Sequence, residues 1–330
     1  MLKVRDTPKI NYTEEESLEK NIDCVEDAFQ MNLLDRLETE ESDCNKKPSF
    51  TFIDLFAGIG GFHLAASNLG GQCVFASEFD DNARKTYEAN FLKHNKDLFY
   101  SGNFVGDITE INEENIPDFG FLFAGFPCQP FSQAGFKKGF SETRGTLFFN
   151  IVKIIQEKQP NVFFLENVRG LLKHDNNKTF ATIKKIITKK LGYSFFYKIV
   201  KASDFGLPQH RPRLFMVGFK DKNIKFEFPK TKKLKLTMSN IWEGNCTKEI
   251  GYTLRVGGRG SKIDDRRNWD AYMVDGNIRQ LSSHEGKKMQ GLPSHFVFPV
   301  SETQAMKQLG NSVAVPAIQA VIKQILSYLP

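Results

Sequence analysis

Cysteine is sparse in this chain. There are five in 330 residues (Cys24, Cys44, Cys73, Cys128 and Cys246), odd in number, widely spaced and without a CxxC pair. That argues against a disulfide scaffold and a structural zinc site, and favours a reducing compartment. The sequence also lacks any apolar run near the eighteen or so residues a membrane helix needs, and its first thirty residues are acidic and polar. A membrane protein and a secretory precursor are both set aside. No internal repeat is present. What remains, 40% hydrophobic and 25% charged residues, is the composition of a globular chain long enough to bury a conventional core.

Charge is unevenly distributed. Residues 1–48 hold 13 acidic and 7 basic side chains, a net of −6, whereas residues 49–330 hold 26 and 38, a net of +12. A basic body of that size suits a polyanionic partner such as nucleic acid, although solubility alone accounts for many basic proteins. Within the acidic segment, Thr13 followed by Glu14, Glu15 and Glu16 reads as a capping box, and Leu18, Ile22, Val25, Phe29 and Leu33 recur at helical spacing. An amphipathic helix is expected there, then a linker from Ser42 to Pro48.

From residue 50 the pattern alternates. Phe52–Phe56 reads as a strand followed by a turn with Gly58, Gly60 and Gly61, then a helix stopping at Gly70-Gly71. Strands follow at 72–77 and 119–124, with a helix from about Asp80 between them, a helix at 146–158, and strands at 162–165 and 214–218. This alternation predicts an α/β fold with a Rossmann-like, doubly wound, mostly parallel sheet. Residues 220–300 break the rhythm and read as a second, smaller, irregular domain. Helical periodicity returns at 303–329 and rejoins the large domain. The expected division is an extension (1–48), a catalytic and cofactor-binding domain (49–219), a small domain (220–301) and a C-terminal helix (302–330).

In such sheets ligands bind beyond the carboxyl ends of the strands. The turn Phe56-Ala57-Gly58-Ile59-Gly60-Gly61 sits at one such end, where glycines let a ligand approach the backbone, though a plain tight turn would use the same residues. Glu78, 20 residues after Gly58, is placed to accept from ribose hydroxyls, and Asp107 to read an adenine amino group. Cys128, directly after a strand and ahead of a glycine-containing loop, is a candidate nucleophile. Glu166, at the end of another strand, is a candidate acid. Arg211 and Arg213 offer two guanidiniums before a strand, or simply a solvated basic turn.

Taken together, Asp54–Gly61, Gly125-Phe126-Pro127-Cys128-Gln129-Pro130-Phe131-Ser132, Glu166-Asn167-Val168, Gln209-His210-Arg211-Pro212-Arg213 and Gly310-Asn311-Ser312-Val313 occur in one order. The chain from about residue 50 resembles a bacterial DNA (cytosine-5)-methyltransferase of the restriction–modification type. The resemblance implies the class I fold of S-adenosylmethionine-dependent methyltransferases. It implies S-adenosylmethionine contacted around Phe56, Ala57, Gly58, Gly60, Gly61, Glu78, Phe79, Asp107, Ile108, Pro127, Asn311 and Ser312. It implies double-stranded DNA as partner, held between the domains with the target cytosine flipped out. Cys128 would add to carbon 6 of the ring, Glu166 would stabilise ring nitrogen 3, and Arg213 with Arg211 would hold the carbonyl oxygen.

The segment 220–278 around Thr253-Leu254 would be the target-recognition region, with Arg255, Arg259, Arg266 and Arg267 as candidate base readers. Gln129, Ser132, Lys137, Lys138, Gln209 and Thr253 complete the expected DNA contacts. No metal is implied. The resemblance further implies a monomer in the bacterial cytoplasm, at the nucleoid, and a separately encoded cognate endonuclease. A tRNA cytosine-5 methyltransferase is the competing reading, but the Cys-Phe-Thr element of that branch is absent, Cys246 being followed by Thr247 and Lys248. A non-catalytic DNA-binding relative would have lost Cys128 or Glu166.

Overall fold

The strongest local signal, short continuous apolar runs that end in glycine or an acid, becomes a seven-stranded sheet. The computed structural model describes residues 48–127, 147–234 and 236–329; the expected helix in the acidic segment, Cys128 and the loop after it lie outside them. In chain order the elements are β1 (Phe50–Leu55), α1 (Gly61–Ser67), β2 (Gly71–Ser77), α2 (Asp81–Phe91), α3 (Lys96–Tyr100), β3 (Phe104–Val105) and β4 (Phe121–Gly125). Then follow α4 (Leu147–Lys158), β5 (Val162–Val168), α5 (Lys178–Lys185), β6 (Phe196–Lys201), β7 (Pro212–Phe219) and α6 (Met238–Trp242). The chain closes with β8 (Ala271–Val274), β9 (Asn277–Gln280), α7 (Ser283–Gln290), α8 (Glu302–Asn311) and α9 (Val315–Leu326).

The strand order is β3-β2-β1-β4-β5-β7-β6, with β8 and β9 forming a separate hairpin. Strands β1 to β5 pair in parallel, so their carboxyl ends share one edge. The order reverses direction between β1 and β4, and the turns leaving these two strands therefore diverge to opposite faces and leave a crevice. Strand β7 runs antiparallel to both β5 and β6. Its first residues, not its last, consequently lie at the crevice edge, where Arg213 pairs with Val168.

Both faces of the sheet are buried, which is why the strands read as continuous apolar runs. Phe52, Phe123, Phe164 and Val217 point to one face, and Ile53, Leu122, Leu165 and Met216 to the other. The first face is covered by α1 and α9, which pack together, and its buried cluster continues into Met238, Trp242, Trp269 and Tyr272. The second is covered by α4 and the helical segment 178–191. Residues 302–330, read as one helix, are two, separated at Ser312–Ala314 ahead of Pro316. The stretch Glu302–Leu326 is apolar enough on average to span a membrane, yet 61% of its most apolar window is buried inside the fold, as befits core helices.

Candidate active site

The glycine-rich turn is built by backbone conformations that side chains disfavour. Phe56, Gly58 and Gly60 have φ of 56°, 58° and 84°. A Cβ on Gly60 would stand 2.2 Å from the Phe91 ring, and one on Gly61 2.5 Å from Val313 Cγ2, so neither position accepts alanine without displacement. At Gly58 a Cβ would meet nothing within 4 Å: the turn opens there onto free space. Glu78 closes the turn, one carboxylate oxygen accepting from Gly58 N at 2.7 Å and the other from Asp80 N at 2.7 Å. Burial pushes the Glu78 carboxyl above its ordinary value, while the two backbone N–H groups pull it back.

Next to Glu78, the Phe79 ring is 76% exposed, an apolar plate left on the surface. Half-buried Asp107 stands at the end of β3, capping Thr109 N at 2.8 Å, and Ile108 beside it is buried. The C-terminal motif arrives from far along the chain. Lys307 bonds Asp80 at 2.9 Å and Thr86 donates to Gln308 at 2.9 Å, which docks α8 on α2 and carries Ser312-Val313 to Gly61. An open glycine turn, an acid at its rim and an exposed aromatic ring together fit a nucleoside cofactor, with Asn311 exposed and Ser312 buried at the same edge.

Beneath the turn lies a polar group that the sequence motif carries without a role. Asp54 is fully buried, accepts from His63 N at 3.3 Å and has its other oxygen unpartnered. Burial pushes its carboxyl well above the usual range. His63, lowered to about 3 by burial, is a neutral imidazole bonded to Tyr87 at 2.6 Å. The signal was available: an acid inside an otherwise apolar strand.

A second cluster forms where β4, β5 and β7 meet. Glu166, buried beside Gly125, pairs with Arg213 Nε at 3.0 Å. Burial pushes the Glu166 carboxyl up, and Arg213 and Arg211 pull it down; the upward push prevails. Asn167 was quoted in the sequence motif without a role, and the structure supplies one. It is buried and donates to Phe126 O at 2.8 Å, fixing the peptide that leads through exposed Pro127 to Cys128.

Two expected contacts go elsewhere. Arg211 is 2% exposed, and its guanidinium donates to the carbonyls of Leu254 (3.1 Å), Gly310 (2.9 Å) and Ser312, so it binds backbone rather than facing the crevice. Gln209, expected at DNA, is fully buried, donating to Met289 O and accepting from Leu254 N. Arg259 is exposed, donates to Leu281 O at 2.6 Å and lies 3.7 Å from buried Asp270. Thr253 donates to His210 O, and Arg267 is paired with Asp265. Arg255 and Arg266 are exposed. Gln129, Ser132, Lys137 and Lys138 lie outside the described residues.

Structural comparison defines the class first. The chain superposes on a putative DNA modification methyltransferase encoded within an E. coli prophage, with a TM-score of 0.64 at 21% identity over 85% of this chain and 99% of that one. The fold is thus that of class I S-adenosylmethionine-dependent methyltransferases. Sequence comparison is narrower. The family described as C-5 cytosine-specific DNA methylase matches residues 50–256 and 243–327. Type II methyltransferase M.DsaV of Dactylococcopsis salina is 41% identical over 318 residues, 86% of this chain and 88% of that protein. Type II methyltransferase M.HpaII of Haemophilus parainfluenzae is 41% identical, covering 92% and 99%. The chain belongs to the C-5 cytosine-specific DNA methylase family, and is an enzyme that moves a methyl group from S-adenosylmethionine to carbon 5 of cytosine in DNA.

Proposed function

We propose that Cys128, Glu166 and Arg213 carry the transfer through a covalent cytosine adduct, and that Glu78, Phe79, Asp107 and the Phe56–Gly61 turn hold the cofactor. The observation that carries this reading is the Glu166–Arg213 pair, 3.0 Å apart at the strand ends where the Gly125–Pro127 turn leads into Cys128. Carbon 5 of cytosine is a poor nucleophile. Addition of the Cys128 thiolate to carbon 6 breaks the aromatic ring and makes carbon 5 enamine-like. The displaced electrons collect toward ring nitrogen 3, where a neutral Glu166 gives its proton, and Arg213 holds the carbonyl oxygen next to it. S-adenosylmethionine, when bound, supplies an electrophilic methyl on a sulfonium. Loss of the carbon 5 proton and expulsion of Cys128 then restore the ring. Arg211 acts from behind, as a backbone clamp.

The Type II relatives support a role in a restriction–modification system; we further propose a monomer working on double-stranded DNA in the bacterial cytoplasm, with a cognate endonuclease encoded separately. Residues 220–278, with exposed Arg255 and Arg266, are proposed to read the target sequence. The segment 302–330 is proposed to complete the cofactor side of the catalytic domain.

The experiment follows from the chemistry. With 5-fluorocytosine at the target of a DNA duplex and S-adenosylmethionine present, the fluorine cannot leave as a cation. The methylated adduct should persist through denaturing electrophoresis and map by peptide mass to Cys128. Trapping through Cys73 or Cys246, or unimpaired trapping in Cys128→Ala, would overturn the mechanism. A tRNA arm should give no adduct.

A further inference from the structure

The clamp around Arg211 links two parts of the molecule that serve different ends. Residues 208–211 and 251–254 run side by side, with His210 N donating to Gly251 O at 2.9 Å and Gly251 N to Pro208 O at 2.8 Å. Gln209 seals the pair by accepting from Leu254 N at 3.2 Å. From the other side, Gln290 donates to Leu309 O at 2.7 Å and to Ser312 O at 3.4 Å, and it also meets Gln209 at 3.3 Å. Gly310 lies flat on this junction: a Cβ there would stand 2.5 to 2.7 Å from the carbonyl carbon and oxygen of Arg255 and the nitrogen of Val256. Arg211 spans the whole arrangement. One planar guanidinium reaches Leu254 on the target-reading segment and Gly310 and Ser312 on the turn that abuts Gly61.

A charge with no access to water keeps its stability only while its donors are satisfied. Separating Leu254 from Gly310 would strand part of a buried guanidinium, whose Nε already lacks a partner. The fork is also rigid, so its carbonyl partners move with it. We infer that Arg211 is a positioning residue that locks the Leu254–Val256 segment to the Gly310–Ser312 turn, so that ordering the cofactor side also orders the target-reading side. This rests on the proposed assignment of the Phe56–Gly61 turn and Ser312 to the cofactor and of residues 220–278 to the target.

Hydrogen exchange on the full chain, with and without S-adenosylhomocysteine, tests it. In the unaltered protein the ligand should slow exchange at residues 56–61 and also, by about fivefold or more, at residues 253–258, a coupling of ordinary size. In Arg211→Lys, whose single ammonium cannot span three carbonyls, protection at 56–61 should remain and protection at 253–258 should vanish. A purely structural Arg211 would change exchange with and without ligand alike, and would not remove the ligand-dependent difference at one segment only. Protection confined to 56–61 in the unaltered protein, or remote protection surviving in Arg211→Lys, would overturn the inference. The first of these outcomes needs no variant to fold. Absence of protection at 56–61 itself would instead overturn the cofactor assignment, and this inference with it.

Discussion

Glu166 illustrates how one side chain acquires a function from three neighbours. Its place at the end of β5 was readable, because a lone acid closing an apolar strand is a local pattern. Its protonation was not, since burial against Gly125 and the opposing pull of Arg213 and Arg211 come from β4 and β7. The neutral form is the proton donor, so a raised titration extends activity upward in pH, and turnover should fall as pH rises through it. Glu166→Gln should cut kcat by about 10²- to 10⁴-fold and abolish the falling limb, while leaving DNA affinity within a few-fold. A pH profile of single-turnover methylation checks both, and an unchanged falling limb would assign it to another group.

Among the elements, the strands buried on both faces were the easiest to read and β6 the hardest. Strand β6 lies at the sheet edge with most of its residues partly or fully exposed, so it lacks the apolar run that betrayed β4 and β5. Its antiparallel partner β7 was seen, but its direction was not, because strand direction is set by the connection and not by composition. Helix α8 ends at Asn311 and presents Gly310 to the Arg255 backbone. No side chain can swing aside there. Gly310→Ala should therefore destabilise the protein by about 1–3 kcal/mol, seen as a lower melting temperature, and should blur discrimination between the target duplex and a single-base variant. A melting temperature within 1 °C or so of the original would mean that the segment yields freely.

At the scale of the molecule, a compact unit begins at Pro48, at the boundary where the charge changes sign. Every motif proposed for chemistry begins at or after Asp54. A chain starting at Lys46 is expected to keep turnover within tenfold, or about 1.4 kcal/mol of transition-state stabilisation. Steady-state methylation of plasmid DNA by the two forms measures it, and a larger loss would make the acidic segment part of the working enzyme.

The sequence by itself determined the strand–turn units and the chemistry at their ends. Those depend on interactions within a few residues: glycine tolerating positive φ after β1, Asp80 capping α2, an acid closing β5. It also determined the family, since several such units recur in one order. Only the tertiary structure decided which of two neighbouring arginines faces the site. Arg211 and Arg213 are equivalent in the local pattern yet find different partners. One meets Glu166, and the other is buried on carbonyls 43, 99 and 101 residues away. Gln209 was misread for the same reason. A polar side chain is a surface contact or an internal strut according to what covers it, and what covers Arg211 and Gln209 comes from distant parts of the chain.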